Sequence, residues 1–223
     1  MINDAVRGYF GFERLPFDRS IPVGALFASA SHQEAVGRIA YGIDTRQIAV
    51  LTGEVGAGKT AAVRAAAARL DASRHQLITI SNPQVGARGI HHAIVTALGG
   101  VPRVHHATLI PQAAGHLEAE LAERGRLPVL LIDEAHLLSH DQLEAIRMLT
   151  NSQLDSASPL AVLLIGQPQL RASMRLVLQF GFVTWADGKQ TTDLAVSHAA
   201  TCQSRYAPGP DQGERLDDYK PGL

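Results

Sequence analysis

The sequence of 223 residues lacks several features that would point to particular classes of protein. It has a single cysteine, Cys202, so an internal disulfide is excluded, as suits a reducing compartment. Its formal net charge is −1, so no basic excess argues for a nucleic-acid partner. No apolar run is long enough to cross a bilayer, and the opening MINDAVRGYFGFERLPFD contains no apolar signal core. We therefore expect a soluble, cytoplasmic protein that does not insert into membranes.

Aromatic residues are also scarce, at 5% of the chain, and most phenylalanines lie close to the N-terminus. The four phenylalanines of this region are Phe10, Phe12, Phe17 and Phe27. Their clustering predicts a packed N-terminal arm. The segment SHQEAVGRIAYGI follows, and its apolar residues recur on one helical face. Ser31 and Glu34 have the spacing of a capping box, which predicts that a helix begins there.

Short apolar runs alternate with helical patterns through the middle of the chain. The runs that predict buried strands cover residues 47–52, 76–81, 128–133 and 160–166. The helical patterns cover residues 61–70, 89–100, 106–125 and 140–154. In the third of these we expect the helix to start after Pro111, and paired glycines should end the second. The alternation predicts an α/β fold with a mostly parallel sheet that is covered on both faces.

The pattern changes after about residue 176. The stretch VLQFGFVTW is compatible with one more strand, but the text from residue 186 to residue 223 has no sustained apolar period. It contains many Gly, Pro, Asp and Ser residues, which cannot build a core. We expect residues 46–185 to form the core domain and residues 186–223 to be a disordered or non-native tail.

The segment GEVGAGKT stands between the first predicted strand and a predicted helix, and it matches the spacing G-x-x-x-x-G-K-T. We call it the phosphate loop; its residues are Gly53, Glu54, Val55, Gly56, Ala57, Gly58, Lys59 and Thr60. Its glycines let backbone amides approach an anion, and the following helix adds its positive dipole end. Lys59 is predicted to reach the β- and γ-phosphates, and Thr60 to offer a hydroxyl to Mg²⁺. The alternatives are a chance glycine-rich turn and a decayed nucleotide site.

Two acids follow the third predicted strand in the segment LLIDEAH. Charges at the end of a buried strand need a positive partner, and a nucleotide brings Mg²⁺, which prefers oxygen ligands. Asp133 is predicted to hold that ion through water. Glu134 points another way and is the candidate to orient or deprotonate the attacking water. Alternatively, Glu134 only begins a helix, where an acid is favoured in any case.

Gln167 follows the fourth predicted strand in the segment LIGQP. If that strand lies between the first and the third, the Gln167 side chain can contact the γ-phosphate or the water. The alternative is a solvated glutamine in a loop.

Ten histidines raise the question of a metal site. His136 and His140 are four residues apart, which would suit zinc on a helix, but no cysteine or third ligand is near in the sequence. Arg88, His91 and His92 are candidates for a patch that meets a partner or DNA. The simpler alternative for these three residues is a solvated helix face.

With these motifs in view, the chain resembles an AAA+ ATPase of the Orc/DEAH type, similar to ExeA-like secretion ATPases and to transposition-associated ATPases. LTGEVGAGKT, VLLIDEAHLL and LLIGQPQLR carry the resemblance, with the opening YFGFERLPFDRSIPVGALFASASHQEAVGRI, and it covers roughly residues 8–176. It implies a P-loop NTPase three-layer α/β/α sandwich that binds ATP and Mg²⁺. Residues 1–45 would then be an arm and helix beside the nucleotide.

The resemblance also assigns roles to individual residues. The phosphate loop would bind ATP, and Thr60 and Asp133 would serve Mg²⁺. Glu134 would be the catalytic acid, with Lys59 and Gln167, the latter at the sensor position, as further catalytic residues. Members of the family continue with an arginine-bearing helix, a fifth strand and a helical lid, none of which is legible after residue 176. We therefore expect the lid to be lacking because the chain is truncated or read out of frame there.

Three functions are compatible with these residues. The first is an ATPase that drives assembly of a partner complex, as a homo-oligomer acting with DNA and a transposase or with a secretion-apparatus protein. The second is a regulatory or inactive nucleotide-binding module without turnover. The third is a P-loop kinase for a small hydroxyl substrate, which the acid after Asp133 disfavours because it suits water activation.

Overall fold

The computed structural model describes residues 2–12, 21–151 and 158–177. The strands in these ranges are β1 (Ile48–Thr52), β2 (His75–Ile80), β3 (Leu127–Ile132) and β4 (Ala161–Gly166). The α-helices are α1 (Ile2–Phe10), α2 (Ala30–Asp44), α3 (Lys59–Ala67), α4 (Gly86–Ala97), α5 (His106–Ala122), α6 (His140–Thr150) and α7 (Gln169–Val177). Short 3₁₀ turns cover Val23–Ala25, Pro83–Val85 and Ala135–Leu137. None of the helices in these ranges is both long and apolar enough to cross a membrane.

The four strands form one sheet in the order β1-β4-β3-β2, and every pair of neighbours is parallel. Each strand was predicted to within one residue at either end, and the parallel sheet is confirmed. The register brings Thr52 of β1 opposite Gly166 of β4, and Ile132 of β3 opposite Leu164 of β4. The carboxyl ends of the strands therefore meet along one edge, where the predicted site residues follow them.

The sheet carries a separate apolar core on each face. Leu163 of β4 belongs to the core that α2 and α3 cover. Leu164, its neighbour in the same strand, belongs to the core that α4, α5, α6 and α7 cover. Because successive strand residues point to opposite faces, a strand that is apolar throughout packs against both layers. The predicted three-layer α/β/α sandwich is confirmed.

The start of α2 corrects the predicted capping box. The N-cap is Ser29, whose hydroxyl accepts from the His32 amide at 3.2 Å. Ser31 already lies inside the helix, and Glu34 pairs with Arg38 at 2.6 Å instead of reaching back. The sequence offers two serines two residues apart, and both are good N-cap residues, so spacing alone did not distinguish them.

The end of α4 was predicted correctly, and the start of α5 was predicted wrongly. Beyond the end of α4, Gly99 adopts a left-handed conformation and the Gly100 amide donates to the Val95 carbonyl at 2.8 Å, so the paired glycines end the helix as expected. Helix α5 begins at His106, five residues before Pro111. The proline removes one donor to the carbonyl of Ala107, an exposed residue to which water has access.

The N-terminal arm was predicted to pack through its phenylalanines. This prediction is wrong for the phenylalanines that the structure describes, Phe10, Phe12 and Phe27. Phe10 is 61% exposed and Phe27 is 88% exposed. Phe10 instead stacks on Phe12, with ring centroids 5.4 Å apart. Phe10 and Phe12 therefore pack against each other, and neither belongs to the two apolar cores. Phe17, the stretch VLQFGFVTW, the tail 186–223 and any lid lie outside the described residues.

Candidate nucleotide-binding site

The phosphate loop joins the buried end of β1 to the start of α3. Gly56 and Gly58 both have φ of +84°, a conformation that glycine adopts at no steric cost. Gly58 is the N-cap of α3 and has no side chain to accept from the first-turn amides. These amides are left to meet an external acceptor, and an anion is favoured there by the helix dipole. Thr60, the second residue of α3, is exposed at the same place.

The Lys59 side chain turns back into the phosphate loop. Its ammonium donates to the Gly53 carbonyl at 2.7 Å and to the Glu54 carbonyl at 2.8 Å. The Gly53 amide donates to the Gly166 carbonyl at 3.3 Å, which ties the start of the loop to the end of β4. The loop thus holds a positive charge at its centre and is anchored to the neighbouring strand.

The two acids follow β3 in a sharp turn. The Asp133 amide donates to the Ile80 carbonyl at 3.1 Å, and Asp133 Oδ1 accepts from the Glu134 amide at 2.8 Å. Glu134 has φ 51° and ψ 35°, a left-handed conformation that is uncommon for a residue other than glycine. Such backbone strain is typical of functional sites. The Glu134 side chain is 56% exposed, so the carboxylate is open to solvent.

Gln167 lies at the end of β4, between the phosphate loop and the acids. Since β4 is placed between β1 and β3, the condition on which its predicted role depended is met. The Gln167 side chain is half-buried. The backbone amide of Gln167 donates to Nδ1 of His136 at 3.5 Å. The contact with phosphate or water stays a prediction.

His136 is a residue whose place sequence reasoning missed. It lies in the 3₁₀ turn Ala135–Leu137, whereas His140 begins α6, so the two histidines do not share a helix as the zinc alternative requires. The His136 side chain is 13% exposed, and its Nδ1 atom is 3.4 Å from Oε2 of Glu134. The only signal in the sequence was a histidine two residues after an acid at a strand end.

The candidate patch of Arg88, His91 and His92 is not a continuous surface. His91 is buried at 3% exposure, and its Nδ1 donates to the Ala87 carbonyl at 2.8 Å. Burial lowers the pKa of His91 below its ordinary value. Arg88 donates to the Val104 carbonyl at 2.9 Å. The solvated helix face proposed as the alternative is therefore also wrong for His91.

A family model described as an AAA domain matches residues 43–174, which is more than half of the chain and contains all the predicted site residues. The chain belongs to the AAA domain family. For this AAA domain, the resemblance deduced from the motifs is therefore confirmed at the level of the family.

A curated relative and two solved structures agree with this assignment. General secretion pathway protein A of Aeromonas hydrophila is 36% identical over 171 residues, which are 75% of this chain but 31% of that protein. Cdc6p of Pyrobaculum aerophilum has a TM-score of 0.54 at 21% identity, over 76% of this chain and 48% of that one. The ADP form of Orc2 of Aeropyrum pernix has a TM-score of 0.52 at 17% identity, over 81% and 52%. At these identities the two structures support the P-loop NTPase fold of the AAA domain alone.

Proposed function

We propose that this AAA domain binds ATP with Mg²⁺ in the phosphate loop and hydrolyses it to ADP and phosphate. In this proposal Lys59 holds the β- and γ-phosphates, while Thr60 and Asp133 hold the ion. Glu134 activates the attacking water, and Gln167 contacts the γ-phosphate or that water.

One relationship carries the proposal. The phosphate loop follows β1 and the acids follow β3 at the same edge of the sheet, and β4 is the one strand between them. The Gly53 amide is bonded to Gly166 on one side of β4, and Ile132, just before Asp133, pairs with Leu164 on its other side. Two strand spacings separate β1 from β3, which is about 10 Å. A gap of that size accommodates a triphosphate and a hydrated cation between the lysine and the carboxylates.

The residues at this edge fit both groups. The uncapped amides of α3 and the Lys59 ammonium suit the phosphates, and a hydroxyl with a carboxylate is the oxygen donor set that Mg²⁺ prefers. Thr60 and Asp133 would hold Mg²⁺ there, and the ion would supply positive charge that neutralises charge developing on the phosphates. The two carbonyls that now accept from Lys59 are neutral, so a phosphate competes favourably for its ammonium.

Glu134 suits a role in activating water because its carboxylate is exposed while its backbone is held in a tight turn. Its backbone amide donates to Oδ1 of Asp133, and the Glu134 carboxylate takes no part in that bond. A carboxylate beside the γ-phosphate accepts the proton of the attacking water, and Gln167 provides a neutral donor and acceptor that aligns it.

The segment before α2 is proposed to form a wall beside the nucleotide. The Arg64 guanidinium of α3 donates to the Ile21 carbonyl at 2.7 Å. Val23 and Leu26 pack on the core that α2 and α3 share. Residues 21–45 are thereby attached to the helix that begins in the phosphate loop, which supports the proposal for this part of residues 1–45.

We further propose that hydrolysis drives assembly of a partner complex in which the AAA domain acts as a homo-oligomer. The name of the relative at 36% identity favours a partner in a secretion pathway over a transposase with DNA. This chain spans less than a third of that relative. A search for the partner must therefore use this chain and not the relative.

The test is binding and turnover of ATP by the wild type and by Glu134→Gln, with the exposed residue Glu123→Gln as control. We expect Mg²⁺-dependent ATP binding by calorimetry in all three proteins. Phosphate release should be retained by Glu123→Gln and fall by about 10²–10⁴-fold in Glu134→Gln.

Other results would select the alternatives. Binding without phosphate release above the level of Glu134→Gln would indicate the regulatory module. Phosphorylation of a small hydroxyl compound would indicate the kinase. Stimulation of phosphate release by duplex DNA would favour the DNA-related partner over the secretion-related one.

A further inference from the structure

We propose that His136 is a positioning residue that couples the end of β4 to the carboxylate of Glu134. The inference rests on the proposed function, because it concerns the same hydrolytic site. It assigns a role to the last residue of the LLIDEAH segment, to which the proposed function gives none.

The first observation is that one nitrogen atom serves two neighbours. Nδ1 of His136 lies 3.4 Å from Oε2 of Glu134 and 3.5 Å from the backbone nitrogen of Gln167. The Gln167 amide can donate to Nδ1 only when that nitrogen carries no hydrogen. Nδ1 can donate to Glu134 only when it does carry one. The two hydrogen bonds therefore exclude each other.

The second observation is that both distances are long. A well-formed N–H···O bond has its heavy atoms about 2.7–3.2 Å apart. The imidazole is thus placed between its two partners without a short bond to either. A small displacement of β4 toward or away from the turn decides which of the two bonds shortens.

The third observation is that the turn and the strand end lie in direct contact. A Cβ atom on Gly166 would stand 3.0 Å from the His136 backbone nitrogen and 3.4 Å from its Cβ. The His136 side chain is 13% exposed, so packing restrains the ring, whereas the Glu134 side chain is 56% exposed and has more freedom. A displacement of the β4 end is therefore passed to the ring, and the ring reorients the freer carboxylate.

These observations give His136 a defined function. When Gln167 moves to contact the bound nucleotide, its backbone amide moves away from Nδ1 of His136. The tautomer that carries its hydrogen on Nδ1 can then donate to Glu134. The carboxylate is then held in one orientation for the attacking water. Orientation is worth a large factor, since a displacement of about 1 Å costs up to about 100-fold in rate.

Three variants test the coupling. His136→Leu fills the position but removes both hydrogen bonds. His136→Asn is the conservative variant, because its amide can present a donor or an acceptor near the position of Nδ1. His140→Leu is the matched control, since His140 is exposed and begins α6 outside the site.

We expect His136→Leu to lower kcat by about 10- to 100-fold while KM and the Kd for ATP with Mg²⁺ stay within threefold. His136→Asn should recover part of kcat, and His140→Leu should match the wild type. A kcat of His136→Leu within twofold of the wild type would overturn the inference. So would a loss that appears in Kd while kcat is unchanged.

A second measurement does not depend on turnover and separates this inference from the proposed function. Nitrogen NMR of the full chain reports which ring nitrogen of His136 carries the proton. We expect the Nδ1 resonance to shift when ADP and Mg²⁺ are added, and to shift in Glu134→Gln without nucleotide. If the chemical shift of Nδ1 is the same in Glu134→Gln as in the wild type, the coupling is overturned. This result counts even in a protein that releases no phosphate.

Discussion

The backbone nitrogen of His136 lies so close to Gly166 that a Cβ atom on the glycine would stand 3.0 Å from it. The same Cβ would stand 3.1 Å from Cδ2 of Leu170 in α7. Gly166 is therefore the point at which the end of β4, the turn after β3 and the start of α7 meet. The candidate site depends on this contact because it sets the distance between Gln167 and the acids.

Gly166→Ala is expected to lower the free energy of unfolding by about 1–3 kcal/mol, because backbone and packed side chains must shift to admit the methyl group. Gly37→Ala is the control: Gly37 lies in α2, and an added Cβ there meets nothing within 4 Å. That variant should gain up to about 1 kcal/mol through helix propensity. Urea denaturation measures both. Equal midpoints for Gly166→Ala and the wild type would contradict the contact.

Lys59→Met tests whether the ammonium at the centre of the phosphate loop binds phosphate. The variant loses charge-assisted hydrogen bonds but keeps the length of the side chain, so we expect the Kd for ATP with Mg²⁺ to rise about 10- to 100-fold. Arg69→Met, an exposed change just beyond α3, should leave the Kd unchanged. Calorimetry measures both values. An affinity of Lys59→Met within twofold of the wild type would remove Lys59 from the site.

The N-cap of α2 provides a test that distinguishes two neighbouring serines. Ser29→Ala removes the acceptor of the His32 amide and should lower the free energy of unfolding by about 0.5–2 kcal/mol. Ser31→Ala lies inside the helix and should cost less, because alanine is favoured there. Thermal or urea unfolding of the two variants gives the comparison. A larger loss for Ser31→Ala would move the cap to Ser31.

The buried His91 side chain is expected to make the free energy of unfolding depend on pH. Because burial lowers its pKa in the folded state, the unfolded chain takes up a proton first as the pH falls. Its contribution is fully present above the ordinary histidine pKa of about 6.5 and decreases as the pH falls through that value toward the folded-state pKa. The free energy of unfolding should therefore be lower at pH 5.5 than at pH 7.5.

The matched variants for this prediction are His91→Asn and His92→Asn. His92 is the next residue but is exposed, so its substitution should preserve the difference between the two pH values. His91→Asn should reduce that difference, because the group that titrates differently in the two states is gone. Urea denaturation at both pH values measures it. An unchanged difference in His91→Asn would assign the pH dependence to other groups.

Much of the fold was predictable because its signals are local. Strands β1, β3 and β4 are buried and almost wholly apolar, and the helices between the strands have a clear period, so α/β alternation was legible. The left-handed Gly99 beyond the end of α4 and the left-handed glycines of the phosphate loop follow from torsions that glycine favours. The errors arose where local signals compete, as at Ser29 and Ser31 at the start of α2 and at Pro111 inside α5.

The sequence by itself determined the phosphate loop, the two acids after β3 and the glutamine after β4, because each depends on a few neighbouring residues. Only the tertiary structure decided that β4 lies between β1 and β3, and that His136 meets Gln167 across 31 positions of the chain. The physical reason is that strand order and the contact at Gly166 depend on how two apolar faces pack together. A spacing along the chain does not contain that information.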